Sequence, residues 1–393
     1  MNTNSESSRA RLGTLMNIGA GVGVLGGIAV GLGWAKDETQ FLHSYLYAFL
    51  FWLGLSLGCM GFGILHYLTG GRWGDKLKRI LESGMLTLPL MALFFLPIWL
   101  NLETLYKWAR PGFMEADPAL HKKMFWLNTP GWTVRAAVYF AIWIGCALLM
   151  TSRSKKRDVT GDAKADSGVR FLAGPMIIAY AITMTFAAID WAMSLEPHWF
   201  STMFGVIFIA GQGITTMAFA IIVCAWLRKD PQFGKLFSPS HFHDMGTLMF
   251  AFTLFWTYTS FSQFLIIWSG NLAEETPWYL HRSGHGWLQV AISLVALGFF
   301  IPFILLLQRK LKHQAGMLTA VAVIVLVARH FDLYWQIGPA FQTDFTGPHW
   351  MDIATTVAIG GFWVALFAWL MQSRPVTNRQ IEMIHAEAQA AHH

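Results

Sequence analysis

Charge is scarce in this chain, and that scarcity excludes most classes of soluble protein. Only 13% of its 393 residues are Asp, Glu, Lys or Arg, whereas 55% are hydrophobic. Soluble domains usually carry about 25% charged residues. Low charge combined with repeated long apolar runs is typical of a polytopic membrane protein.

Cysteine is also rare. Cys59, Cys146 and Cys224 all lie inside apolar runs, and none forms a CxxC or CxxCH pattern. The sequence therefore offers no c-type haem attachment, zinc knuckle or iron–sulfur ligand set. We interpret the three as small packing residues, and we expect no metal site.

The apolar runs predict ten membrane-spanning segments, at about 20 residues each. All should be helices, because lipid offers no partner for unpaired backbone groups. The predicted fold is therefore an all-α polytopic membrane protein, with residues 1–393 forming one integral membrane domain. The predicted spans cover roughly residues 12–34, 41–68, 83–106, 132–151, 170–193, 201–227, 242–269, 284–307, 314–335 and 351–372.

Basic residues predict the orientation of these spans. The two termini and the even-numbered loops hold most of the 28 Lys and Arg residues, including Lys164, Lys235, Arg374 and Arg379. Because cytoplasmic loops carry the excess of Lys and Arg, both termini are predicted to be cytoplasmic. The long third loop, about residues 107–131, then lies outside. It is either a dock for an external partner or a solvated loop.

Similar motifs recur with a period of four helices. "ESGMLTL" (82–88) opens the third span, and "HDMGTLM" (243–249) opens the seventh. Asp190 and Asp332 lie near the outer ends of the fifth and ninth spans, and Pro-His-Trp follows each. This pattern predicts two four-helix bundles, spans 2–5 and 6–9, with peripheral spans 1 and 10. The corresponding halves cover about residues 41–193 and 201–335. Coincidence in a chain rich in aromatic residues is the alternative.

Glycine recurs every four residues in the first span, at Gly19, Gly23, Gly27 and Gly31. Such a stripe makes a smooth face for close helix packing. The overlapping pattern Gly21-x-Gly23-x-x-Gly26 matches a dinucleotide-binding fingerprint. No strand precedes it, so we reject that interpretation.

Ionisable residues cluster at the predicted outer ends of the spans. A charge at the bilayer centre costs about 2.5–3.5 kcal/mol on insertion scales, so such residues are functional candidates. One interpretation is a wet pocket where protons leave a redox substrate, because burial tunes the pKa of His and carboxylates. The alternative is structural ion pairs; Arg329 and Asp332, for example, share a helix face. The outer set is Glu103, Arg135, Asp190, Glu196, His198, Arg329, His330, Asp332, His349 and Asp352.

A second set lies at the predicted inner ends, and polar residues lie between the two sets. Hydroxyl and amide groups near the midplane can carry ordered water between titratable groups. They also hold helices together, at about 0.6 kcal/mol each, and both interpretations stay open. The inner proton-pathway candidates are His66, Glu82, His241, His243 and Asp244. The midplane candidates are Thr183, Thr185, Gln212 and Tyr258.

Two long motifs resemble a known family. Asp190-Trp191 with "MSLEPHWFSTMFG" (193–205), followed by "SFSQFLIIWSGNLAEETP" (260–277), is similar to the ActF-type subunits of alternative complex III. These belong to the wider NrfD/polysulfide-reductase-like family of membrane subunits. The resemblance covers nearly the whole chain, including the ten spans.

The resemblance implies a bacterial inner-membrane subunit of a quinol:cytochrome c oxidoreductase, without a redox centre of its own. Such a subunit contributes to quinol-site architecture, a proton pathway or both. The implied partners are membrane lipid, a second NrfD-like quinone-binding subunit, an iron–sulfur subunit and multihaem cytochromes c, with no nucleic acid.

The implied ligand is menaquinone or ubiquinone, held without a covalent bond, while haems and clusters belong to the partners. Asp190, Glu196 and His198 lie in the matching motif and are carried over as candidates. A secondary transporter and an assembly scaffold are the rival functions.

Overall fold

The computed structural model describes residues 6–160, 167–229, 237–284 and 286–373. Within this part of the chain the regular structure is helical and contains no strand. Ten of the described helices are long and apolar enough to cross a membrane. The all-α prediction with ten spans is confirmed, and the chain is a multi-pass membrane protein. Four residues used to predict its orientation, Lys164, Lys235, Arg374 and Arg379, lie outside the described residues.

We number the ten spans α1 to α10. Eight are continuous helices: α1 (Glu6–Trp34), α2 (Glu38–Thr69), α4 (Thr129–Thr160), α5 (Ser167–Trp191), α6 (Phe204–Leu227), α7 (Pro239–Gly270), α9 (Ala315–Ile337) and α10 (Trp350–Gln372). The other two, α3 (Trp73–Leu100) and α8 (Trp287–Leu307), are built from shorter segments.

The third span differs most from its prediction. Its first segment is the helix Arg72–Met85, so the predicted start at residue 83 is wrong. That segment is polar, so a count of apolar residues does not detect where its helix begins. Two shorter segments, Leu88–Phe94 and Leu96–Leu100, complete the span. Each has a proline in its first turn, where the missing N–H of proline is tolerated.

The helices pack as two groups that meet along α2 and α6. In the first group α2 contacts α3 and α5, and α4 contacts α3 and α5. In the second group α6 contacts α7 and α9, and α8 contacts the same two helices. Across the junction α6 contacts α2 and α5, and α9 contacts α2. The remaining spans lie at one side, where α10 packs between α1 and α2.

Glycines bring α1 and α10 into backbone contact. A Cβ built on Gly23 would lie 2.9 Å from the Phe362 nitrogen, and one on Gly26 would lie 2.9 Å from the Ala358 Cα atom. The predicted four-residue stripe is only partly correct, because Gly31 meets open space. A helix has 3.6 residues per turn, so a strict spacing of four drifts away from the contact and Gly26 joins it.

Gly361→Ala should weaken this contact. A Cβ at residue 361 would lie 2.3 Å from the backbone nitrogen of Gly23, and neither backbone can move without disturbing its helix. Overpacking of this kind costs about 1–3 kcal/mol. We expect a lower thermal midpoint for the protein in detergent. Gly21→Ala is the matched control, because nothing lies within 4 Å of its Cβ position. Equal midpoints for the two variants would contradict the prediction.

Candidate functional site

Asp190 is fully buried at the outer end of α5. We call outer the end that carries the loops after α1, α3, α5, α7 and α9, following the predicted orientation. The Arg135 guanidinium donates to both Asp190 oxygens, at 2.8 and 2.9 Å. The Trp126 indole donates to Oδ1 at 2.8 Å, and the Tyr139 hydroxyl donates to Oδ2 at 2.9 Å. An ionised carboxylate has about four acceptor sites. All are filled, which favours a structural role for Asp190.

Glu196 is paired with Arg282, which lies in the loop between α7 and α8 and is not among the candidates predicted from the sequence. Arg282 donates to Glu196 Oε1 at 3.0 Å, and its guanidinium stacks over the Trp278 ring at 3.7 Å. It also donates to the carbonyls of Trp335 and Gln336, at the end of α9. Burial lowers the pKa of Arg282 to about 10, against the opposing effect of Glu196, so the side chain stays charged at neutral pH. Cations are favourable at helix C-termini.

His198 connects the third loop to the loop between α5 and α6. Its Nε2 atom lies 2.6 Å from Asp117 Oδ2, and this hydrogen bond holds the pKa of Asp117 below its ordinary value. Lys123 donates to the carbonyls of Pro197 and His198, at 2.7 and 3.2 Å. Desolvation by partial burial lowers the pKa of Lys123. The third loop is therefore folded onto the protein through several polar contacts.

Arg329 and Asp332 form the ion pair that their spacing on α9 predicts. Both side chains are buried, with 5% and 4% of their surface exposed. Gln336 also donates to Asp332 at 2.9 Å. The Arg329 guanidinium lies 5.7 Å from the centre of the Trp256 ring.

Arg329 borders a cavity of about 20 Å³ between the two helix groups, which we call the central cavity. Gln212 and Thr215 of α6 and Phe51 of α2 line it as well. Tyr180 donates to Gln212 Oε1 at 2.6 Å and fixes that amide. A polar cavity of this size has room for an ordered water.

A second cavity of about 20 Å³ lies between the outer ends of α2, α9 and α10, and we call it the outer cavity. Asp352 borders it, with Oδ1 accepting from Ser44 at 2.5 Å and Oδ2 accepting from the His349 backbone at 2.8 Å. The His43 ring stacks on Phe341 at 3.8 Å. No described residue hydrogen-bonds to the ring nitrogens of His43. The side chains that line this cavity include Gln40, His43, Tyr47, Tyr334, Gln342 and Asp352.

His330 lies between the two cavities. Its ring centre is 4.6 Å from that of Tyr47, which lines the outer cavity, and 5.0 Å from that of Phe51, which lines the central cavity. His330 is among the candidates predicted from the sequence, whereas His43 and Tyr47 are not. Their signal was available, because residues 43, 47 and 51 share one face of α2 at a spacing of four.

The inner candidates are distributed over three places. His66 lies 3.8 Å from Asp75 beside the start of α3. Glu82 pairs with Arg79, which also pairs with Asp158 of α4 and so joins the two helices.

The other three inner candidates lie in the first turns of α7. His241 accepts from the Ser238 backbone at 3.1 Å and caps the helix, as in a capping box. His243 lies 3.7 Å from Asp244 and stacks on His313 at 4.7 Å. Among the inner candidates, His241 therefore caps a helix and Glu82 belongs to the ion pairs that join α3 to α4.

Of the midplane candidates, Gln212 borders the central cavity, and the other three line neither of the two cavities described above. Thr183 accepts from Trp143 at 2.8 Å and donates to its own helix, and Thr185 donates to the Ala181 carbonyl. Tyr258 is 67% exposed on the outside of α7 and lines neither cavity. The hydrogen bonds of Thr183 and Thr185 and the exposed position of Tyr258 fit helix packing better than proton transfer.

Comparison with known proteins assigns no family. No protein-family model matches the chain, and no curated protein matches it. The family resemblance therefore rests on the two long motifs alone.

Arg135→Gln should destabilise the protein, because it leaves the fully buried Asp190 without its cation. Removing one partner of a buried ion pair costs about 3–5 kcal/mol. We expect a large drop in thermal midpoint and in the yield of folded protein. Lys122→Gln in the third loop removes the same charge from an exposed side chain and serves as the control. A midpoint of Arg135→Gln equal to that of the control would overturn the structural role of Asp190.

Proposed function

We propose that this chain is a membrane subunit of a quinol-oxidising respiratory complex of the alternative complex III type, and that its outer half conducts protons to the outer surface. The observation that carries the proposal is the series of central cavity, His330 and outer cavity along the α2–α9 interface. The resemblance of the two long motifs supplies the reaction class.

The residues along this series suit stepwise proton transfer. A neutral histidine accepts a proton at one ring nitrogen and donates at the other, so His330 can exchange protons with water on either side. Asp352, at the outer cavity, is a buried carboxylate held by Ser44 and a backbone N–H. His43 provides a second titratable group with no protein hydrogen-bond partner among the described residues. A proton that reaches this cavity is close to the outer surface.

The two described cavities do not fit a quinol ring, since each has the volume of about one water. We therefore place quinol oxidation in a partner subunit, and this chain moves the protons that the reaction releases. The proposed partners are a second NrfD-like quinone-binding subunit, an iron–sulfur subunit and multihaem cytochromes c. The redox centres belong to those subunits.

The proposed setting is a bacterial inner membrane with both termini in the cytoplasm. Arg309, Lys310 and Lys312 support this orientation, because their short helix joins α8 to α9 at the end of the protein opposite the outer cavity. Basic residues of this kind favour the cytoplasmic side.

Purification tests the assignment to a redox complex. The tagged chain should be extracted gently from its native membrane and analysed by mass spectrometry and by its haem spectrum. We expect co-purified iron–sulfur and multihaem cytochrome c subunits. A lone, haem-free chain would contradict the proposal and favour a transporter, whereas a complex that turns over normally without this chain would favour a scaffold.

His330→Phe tests the proton route in the assembled complex. Phenylalanine keeps a ring between Tyr47 and Phe51 but cannot carry a proton, so the release of protons at the outer side should fall. The measurement is protons released per electron, with a pH dye outside proteoliposomes and a quinol substrate. Unchanged stoichiometry at normal turnover would remove His330 from the route.

Two hydroxyl deletions provide a matched control. Tyr334→Phe removes a hydroxyl from a residue that lines the outer cavity, whereas Tyr258→Phe removes one from the exposed surface of α7. We expect Tyr334→Phe to lower the stoichiometry and Tyr258→Phe to leave it unchanged. Equal effects of the two variants would mean that the outer cavity has no special role.

A further inference from the structure

We infer that Arg329 is the inner barrier of this proton route: its permanent positive charge at the central cavity hinders protons from the cytoplasmic side from leaking through to His330. The inference rests on the proposed function, because a barrier is needed only where a route exists. It assigns Arg329 a role separate from that of His330, which passes protons on.

The position of the guanidinium carries the first step. Arg329 lines the central cavity, whereas its partner Asp332 lines neither described cavity. A proton entering the central cavity therefore meets the cation before the carboxylate. Arginine is not deprotonated in proteins, so the charge is present at any physiological pH. Like charges repel more strongly in a low-dielectric interior than in water, and an arginine in a membrane pore excludes cations and protons in this way.

Close packing keeps the guanidinium in place. A Cβ built on Gly211 of α6 would lie 2.0 Å from Arg329 Nη2, so the side chain lies directly against the α6 backbone. On its other sides are Asp332 and the Trp256 ring. Any residue larger than glycine at position 211 would displace the charge from this place.

One nitrogen of Arg329 lacks a hydrogen-bond partner among the described residues. It is the Nε atom, which is buried. A buried N–H without a partner is unfavourable, and the adjacent cavity has room for an ordered water. A water held there accepts from the guanidinium and turns its own protons away from the cation. The purely structural alternative is an ion pair that joins α9 to α6 and does not affect conduction.

The test is passive proton leak into proteoliposomes. The assembled complex is reconstituted with trapped pyranine, and a potassium diffusion potential drives protons without any quinol present. Arg329→Gln should raise the leak by about tenfold, the change that roughly 1.4 kcal/mol of barrier produces. Arg329→Lys keeps a positive charge and should keep the leak low. A leak equal to wild type in correctly assembled Arg329→Gln overturns the inference.

Gly211→Ala tests the same barrier without removing the charge. The added Cβ displaces the guanidinium, so the leak should rise although arginine is retained. Gly145→Ala in α4 is the matched control, because nothing lies within 4 Å of its Cβ position. A leak in Gly211→Ala that matches the control also overturns the inference.

A double variant covers the case in which Arg329→Gln fails to fold. Arg329→Gln combined with Asp332→Asn removes both buried charges and leaves neither unpaired. Its passive proton leak should match that of Arg329→Gln. A leak equal to wild type in the double variant would overturn the inference. The barrier and the proposed function fail separately. If Arg329→Gln leaks no more than wild type while His330→Phe lowers the number of protons released per electron, only the barrier is rejected. An unaffected stoichiometry in His330→Phe rejects the route itself.

Discussion

Burying a guanidinium inside a membrane protein is unfavourable unless a carboxylate and further acceptors surround it. Three arginines of this chain meet that constraint near its outer end. Arg135 joins α4 to α5 through Asp190, and Arg282 joins the loop before α8 to Glu196 and to the end of α9. Arg329 has its carboxylate, Asp332, within one helix, although its Nε atom has no partner among the described residues. The first two pairs join segments that are distant in sequence, so the arrangement of the outer end depends on them.

The two aspartates that mark the predicted repeat have different surroundings. Asp190 accepts from three side chains of α4 and the third loop, and its acceptor capacity is used completely. Asp332 accepts from side chains of its own helix, and its arginine borders a cavity. The first half thus has a fully hydrogen-bonded carboxylate at this position. The second half has a polar cavity beside its ion pair.

The sequence was a good guide to what depends on local composition. Apolar length predicts the ten spans, because the thickness of the bilayer sets that length. The start of α3 was missed because its first segment is polar and gives no apolar signal. The partners of Asp190 were out of reach for another reason. Trp126 comes from a loop, and its approach to α5 depends on how that loop folds. His43 was overlooked because a single histidine near the start of a helix is usually interfacial. The cavity that it lines exists only where α9 and α10 pack beside α2.

The glycine contact between α1 and α10 also bears on how the protein is made. Its two sides lie far apart in the chain, and synthesis at about 5–20 residues per second separates α1 from α10 by tens of seconds. During that time the backbone of α1 around Gly23 has no helix against it from this chain. The contact forms only when α10 is present, so a chain truncated before α10 keeps this glycine face open. Pairing of the two spans thus distinguishes a chain that has reached α10 from one that has not.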